Sequence, residues 1–186
     1  MRKLTSFMNV SLDGYFADSN GDMSWAKHDD REFREFVADN AKRGGVLLFG
    51  RTTYELMASY WPTPLAARND PMLAERMNNL PKIVFSRTLD KASWNNTMLV
   101  KGDMPAHVRK MKNESGDDMV VLGSGSIMSQ LAQAGLIDEL QFVINPIVLG
   151  GGSAVFVGIK AKLNLKLAKS RAFHNGNVFL CYEPVL

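Results

Sequence analysis

Short apolar runs that stop abruptly at small or hydroxyl-bearing residues recur along the first two thirds of this chain. That pattern constrains the fold more than any other feature. Val46-Leu47-Leu48-Phe49 is the clearest case, four apolar residues without alternation that end at Gly50-Arg51. A strand wetted on one face alternates polar and apolar residues, whereas an unbroken run is expected of a parallel strand covered on both faces. Thr52-Thr53 then begins a helix. Lys82 to Phe85 is a second such run, ending at Ser86-Arg87-Thr88, and Met119 to Leu122 a third, ending at Gly123-Ser124-Gly125-Ser126.

Between these runs lie helical patterns. Asp29-Asp30 opens a helix whose Phe33, Phe36 and Val37 form one apolar stripe, and Gly44-Gly45 closes it. Pro71 to Asn79 has proline at its first turn, Pro105 to Lys112 follows a strand at Thr97 to Val100, and Ile127, Leu131 and Ala134 mark a helix closed by Gly135. Lys3 to Leu12 reads as the first strand, stopped by Asp13-Gly14, with a polar loop running on to Trp25. After Gly135 strands dominate. Leu140 to Ile144 alternates and stops at Pro146, a Gly150-Gly152 turn follows, and strands at Leu163 to Phe173 and Val178 to Glu183 flank Asn175-Gly176, a hairpin signal. The ordering predicts an α/β fold with a mostly parallel sheet, helices on both faces and an antiparallel C-terminal edge. No linker or repeat divides residues 1–186, so one domain is expected.

Composition excludes several functions. A net charge of +3 with interspersed signs lacks the basic stripe of a nucleic-acid binder. The single cysteine, Cys181, rules out an internal disulfide and a cysteine-based zinc site, and the three histidines have no ligand spacing, so no metal is expected. The N-terminus lacks an apolar signal-type segment, and the weakly charged stretch from Pro146 to Ile159 is too short to span a bilayer. The expectation is a cytoplasmic protein with a small-molecule ligand and no nucleic-acid or membrane partner.

The carboxyl ends of parallel strands lie along one rim, where ligands bind. Helix N-termini there offer unpaired N–H groups to phosphate, glycine admits a close backbone approach, and arginine grips a phosphate with parallel bonds. Taken singly, each junction is also an ordinary turn or N-cap. Three on one rim, two with arginine, fit an extended dinucleotide with an additional 2′-phosphate. No G-x-G-x-x-G follows the first strand, which argues against a standard Rossmann site.

An ordered set of motifs then points to one family: Ser11-Leu12-Asp13-Gly14 with Ala17, Gly50-Arg51-Thr52-Thr53-Tyr54-Glu55, Phe85-Ser86-Arg87-Thr88-Leu89, Gly123-Ser124-Gly125-Ser126 with Leu131, Gly135-Leu136-Ile137-Asp138-Glu139-Leu140, and Pro146 to Gly152. Together they resemble the C-terminal reductase domain of the riboflavin-biosynthesis deaminase-reductase (RibD), within the dihydrofolate-reductase-like superfamily. The resemblance covers nearly the whole chain. It implies a three-layer α/β/α domain and hydride transfer from NADPH to a ribosylaminopyrimidine, a pterin or a similar heterocycle, as in a 5-amino-6-(5-phosphoribosylamino)uracil reductase. It also implies site residues. Arg51, Arg87 and Ser86 would hold the 2′-phosphate. Gly50, Thr52 and Thr53, and the run Gly123, Ser124, Gly125, Ser126 and Ile127, would hold the pyrophosphate. The loop from Asn9 to Ala17 would line the nicotinamide. For the proton, Asp13 and Asp30 are the candidate acids, with cap and turn roles as their alternative, and Trp25 is a candidate for stacking on substrate. The deaminase partner's zinc ligands are absent, so a stand-alone reductase is expected, with homodimerisation through C-terminal strands implied by the family. A non-catalytic NADP(H)-binding or sensory protein and a true dihydrofolate reductase are the alternatives.

Overall fold

A computed structural model describes residues 1–26, 30–42 and 44–185. Its first half contains β1 (Leu4–Ser11), β2 (Tyr15–Ala17), α1 (Arg31–Ala41), β3 (Val46–Gly50), α2 (Arg51–Tyr60), α3 (Pro64–Asn69), α4 (Pro71–Asn79), β4 (Lys82–Phe85) and β5 (Thr97–Val100). Then follow α5 (Met104–Asn113), β6 (Met119–Val121), α6 (Gly125–Gln133), β7 (Glu139–Asn145), β8 (Ser153–Ala154), β9 (Leu165–Ala172) and β10 (Val178–Pro184). Eight strands form one sheet in the order β5-β4-β3-β6-β1-β7-β10-β9. The first six are mutually parallel. β10 pairs antiparallel with β7, and β9 with β10. This is the expected architecture, a mostly parallel sheet carrying an antiparallel C-terminal hairpin. The hairpin turns at Asn175-Gly176, where Gly176 takes a φ of +86°, a conformation costly for any residue with a Cβ.

Side chains alternate across the sheet, and the two faces differ. On one face Leu4, Met8 and Val10 of β1, Leu48 of β3, Val121 of β6 and Leu140 of β7 pack against Met104 and Val108 of α5 and Ile127, Met128 and Leu131 of α6 in one continuous core. Each such side chain contributes about 1.5–3 kcal/mol by leaving water. On the opposite face the core is split. Leu47, Phe49 and Val84 pack with Tyr54 of α2, Met77 of α4 and Trp94. Phe33 of α1 packs with Val143, Phe173, Phe179 and Cys181 at the other side. The strip between, on the central strands β6 and β1, has no helix over it. Thr5, Phe7, Asn9, Val120 and Leu122 are left half-buried there. That uncovered strip is the floor of a cleft.

Three elements were not expected. α3 is six residues long, with Thr63 as its N-cap and Pro64 in its first turn; one and a half turns are too short to show an apolar stripe. β2 and β8, of three and two residues, pair as a separate ribbon. The role expected of Gly44-Gly45 is also revised, because α1 ends at Ala41 with Lys42 as its cap. A Cβ on Gly44 would lie 2.2 Å from Val120 Cγ2, and one on Gly45 2.1 Å from Asp117 Cβ. Close approach to the start of β6 demands these two glycines.

Candidate functional site

The three strand-end junctions meet. Because β4, β3 and β6 are consecutive and parallel, their carboxyl ends share one edge. The Gly50 amide donates to the Gly123 carbonyl at 2.9 Å. A Cβ on Gly50 would sit 2.7 Å from Ser124 Oγ, and one on Gly123 2.9 Å from Thr53 Oγ1. Arg51 Nη1 donates to Thr88 Oγ1 at 2.8 Å, which joins the turn after β4 to the other two. Arg51 Nε is paired with Glu55 at 2.9 Å on the same helix, and Arg87, the residue before Thr88, is exposed. Ser86 Oγ accepts from the Thr88 and Leu89 amides at 3.2 and 3.0 Å and so fixes that turn.

Helix capping bears on this edge, although α4 also lacks a side-chain cap bond. α1, α3 and α5 have side-chain caps from Asp30, Thr63 and Asp103. α2 and α6 start at Gly50 and Ser124 with no side-chain cap bond. No side-chain cap competes for their first-turn N–H groups and positive dipole ends, as an anion site requires. Thr52 lies exposed in the first turn of α2, and Ser124 and Ser126 turn their hydroxyls toward each other at 2.8 Å. Gly125 and Ile127 are buried, so they can offer a ligand only backbone. A Cβ on Gly125 would press on Phe16 and on the carbonyls of Ala154 and Val155.

Inward from the rim runs a cavity of about 650 Å³ along the uncovered strip. Asn9, Thr53, Gly123 and Phe16 stand at the rim end; Phe7, Val37, Met57, Trp61 and Leu73 form the walls; Lys3, Asn40, Arg76, Asp118, Glu139 and Gln141 lie at the inner end. Strand residues 3 to 9 cover about 20 Å. That length accommodates a ring at the rim end and a second small molecule beyond it. Polar residues on a central parallel strand were the overlooked signal: Thr5, Asn9 and Gln141 occupy positions that two-sided burial would make apolar. Gln141 is buried, accepting from Asn40 Nδ2 at 2.8 Å and donating to Glu139 at 3.2 Å. Met57 and Trp61 of the segment 51–61 line the cavity. Tyr54 is core, its hydroxyl accepting from the Trp94 amide at 2.9 Å.

The remaining candidates stand elsewhere. Asp13 accepts from the Leu149 and Gly150 amides at 3.1 and 2.7 Å, bracing the turn after β1 against the glycine turn. The Ser11 hydroxyl and these amides hold its carboxyl at about 2, so it is ionised at neutral pH and a poor proton donor. Asp30 spends its carboxylate on the Phe33 amide at 3.0 Å as the N-cap of α1; Asp29 lies outside the described residues. Trp25 donates its indole N–H to the Asp22 carbonyl at 3.0 Å and is not among the cavity residues, Met23 of the same loop being the one that lines it. Ala17 is buried in the β2–β8 ribbon rather than in the cavity wall. Among the described residues no cluster of His, Cys, Asp and Glu could hold a metal, and no helix is long and apolar enough to cross a membrane.

The model of the RibD C-terminal domain family matches residues 2–179. This chain belongs to the RibD C-terminal domain family. The uncharacterized protein YyaP of Bacillus subtilis (strain 168) is 29% identical to this chain over 183 residues, covering 98% of this chain and 95% of YyaP. Among solved structures, a pyrimidine reductase-like protein from Corynebacterium diphtheriae superposes with a TM-score of 0.71 at 14% identity, covering 100% of this chain and 92% of that one. Dihydrofolate reductase from Enterococcus faecalis, complexed with NADP(H), superposes with a TM-score of 0.64 at 15% identity, covering 98% and 96%. The fold of this RibD C-terminal domain is thus dihydrofolate-reductase-like.

Proposed function

We propose that this RibD C-terminal domain is an NADPH-dependent reductase of a small heterocycle. The observation that carries the reading is the contact of the three junctions, Gly50 with Gly123 and Arg51 with Thr88, directly above a cavity. The residues fit the cofactor. The uncapped N-termini of α2 and α6 would take the pyrophosphate, with Thr52, Ser124 and Ser126 hydroxyls beside them. Arg51, Arg87, Ser86 and Thr88 would take the 2′-phosphate, and Asn9, Thr53 and Gly123 would bound the nicotinamide. NADPH, when bound, supplies the hydride. The chain's own task is to hold acceptor and donor in line and to keep water out, which the apolar walls Phe7, Val37 and Met57 serve. No triad or metal is needed for that task. The proton is not assigned to Asp13 or Asp30, given their bonds. A true dihydrofolate reductase would need a carboxylate from the first helix in the cleft; α1 presents Val37, Asn40 and Ala41 there instead. A cavity of this size beyond the rim favours turnover over nucleotide sensing alone.

Titration with NADPH and NADH, followed by tryptophan fluorescence, tests the cofactor. NADPH is expected to bind at least about tenfold more tightly, roughly 1.4 kcal/mol, if arginine meets the extra phosphate. Arg87→Ala should narrow that gap while leaving NADH binding nearly unchanged. Equal affinities would remove the arginines' role, and no binding of either would end the reductase reading.

A further inference from the structure

Among the described residues, the two cations lining the inner end of the cleft, Arg76 and Lys3, each have a partner. Helices that follow parallel strands run back against them, so α1 and α4 end at the edge where the strands begin; Ala41 precedes β3 and Asn79 precedes β4. Helix C-termini carry partial negative charge. Lys3, Asp118 and Glu139 stand at the same edge, at or just before the starts of β1, β6 and β7. Arg76 donates from Nε to the Ala41 carbonyl at 2.7 Å and from Nη2 to the Gly44 carbonyl at 2.6 Å, closing the end of α1. Lys3 Nζ lies 3.5 Å from Glu139, and its backbone amide donates to Asp118 at 2.7 Å. A phosphate arriving here would face two carboxylates and two helix C-termini, and would have to draw a cation away from an existing partner. The rim differs, with two helix N-termini that carry no side-chain cap, the exposed Arg87, and Arg51, whose Nε pairs with Glu55.

We infer that the second molecule held in this cleft carries no phosphate, and is an uncharged, flat compound whose polar edge is read by the Asn40–Gln141 amide pair. Among the described residues there is no uncommitted cation along the inner end to take a phosphoribosyl tail. The inference rests on the reading of the cleft as the substrate site. It separates this chain from a reductase of 5-amino-6-(5-phosphoribosylamino)uracil. The walls Phe7, Val37, Trp61 and Leu73 suit an apolar ring face, and Gln141, buried between Asn40 and Glu139, fixes the donor and acceptor directions at its edge.

Trp61, in the cleft wall, reports on the cleft without any ligand being known. In a Trp25→Phe variant the other tryptophan, Trp94, is buried, so ionic quenchers in solution act on Trp61. At matched low ionic strength, and normalised to free tryptophan amide, caesium should quench Trp61 at least about threefold more efficiently than iodide. Acrylamide should quench it freely, showing that access is not the limit. Adding Asp118→Asn and Glu139→Gln should shrink the caesium-to-iodide ratio by at least about twofold, and Glu139→Gln alone should move it the same way. Iodide quenching equal to or better than caesium would overturn the inference, as would a ratio unmoved by both sets of substitutions. So would protection of Trp61 from acrylamide by 5-amino-6-(5-phosphoribosylamino)uracil where its phosphate-free riboside gives none. The quenching is measured without nucleotide, so failure of NADPH to bind would count against the cofactor reading and leave this result standing.

Discussion

Arg76→Met should loosen the back of the cleft without touching the rim. Methionine keeps the length and apolar stem of arginine, so packing beside Leu73 and Leu80 is retained and the guanidinium alone is lost. Two charge-assisted hydrogen bonds go with it, to the carbonyls of Ala41 and Gly44. Such bonds contribute about 1.5–3 kcal/mol each. Arg76 is only part-buried, and water can re-solvate both carbonyls, so the net loss should lie near the lower end of the sum, about 2–4 kcal/mol. Against a whole-domain stability of about 5–15 kcal/mol that is a large share. Urea unfolding followed by circular dichroism should show a lower midpoint with an unchanged slope. Arg76→Lys should fall between, since one ammonium cannot span both carbonyls in the fork geometry of arginine. NADPH affinity should stay within about twofold of wild type, because the rim lies at the opposite edge of the sheet. An Arg76→Met protein within about 0.5 kcal/mol of wild type would refute the claim that this bridge holds α1 against α4.

Other perturbations follow from groups already described or packed nearby. Lys82 is 1% exposed, donates to the carbonyls of Met77, Asn78 and Leu80, and sits 4.5 Å from the Trp94 ring centre; burial pushes its pKa from 10.5 down to about 8. The unfolded chain therefore binds more protons between those values, and stability should rise with pH from 8 to 10.5 through this group. The difference between wild type and Lys82→Met in urea midpoint should shift accordingly across that window, and a flat difference would refute it. Asp13 has its carboxyl held at about 2 rather than 3.8, so its contribution is present above pH 4 and fades as pH falls toward 2. Asp13→Asn should show a smaller loss of thermal midpoint than wild type between pH 4 and 2. Gly50→Ala places a methyl 2.7 Å from Ser124 Oγ and should weaken NADPH binding at least about tenfold while the circular dichroism spectrum is kept; unchanged affinity would separate the Gly50–Ser124 contact from the nucleotide site.

Much of the architecture was legible because it is written in local pattern. β4 and β5 begin and end at the residues expected, and the Asn175-Gly176 hairpin forms, since unbroken apolar runs and turn chemistry are properties of neighbouring residues. The junctions at Gly50, Ser86 and Gly123 were legible for the same reason, and their convergence follows once the strands are parallel. The substrate side was not. Phe7, Asn40, Arg76 and Gln141 come from four elements far apart in sequence, and no local motif joins them. Arg76 resembles any helix-surface arginine until α1 ends beside it. Trp25 and the aspartates Asp13 and Asp30 are residue types that suit catalysis, yet the Trp25 indole N–H serves its own loop, the Asp30 carboxylate caps its own helix, and the Asp13 carboxylate holds the distant glycine turn. The polar residues on β1 were the one available clue, visible only once β1 is known to lie in the middle of the sheet.

The ribbon beside the rim has a mechanical consequence. Asp13 is tied to Leu149 and Gly150, Tyr15 pairs with Ala154, and Ala17 lies opposite Ser153. A Cβ on Gly152 would fall 2.1 Å from the Ala17 carbonyl, so the two backbones touch. The segment after β1 is thus not a free flap, because it is riveted to residues 149–154 and swings only if they swing with it. Phe16 rides on that plate and rests where α6 begins. A molecule settling on the first turn of α6 must therefore share space with the underside of the plate, making the door and the handle of this site a single moving part.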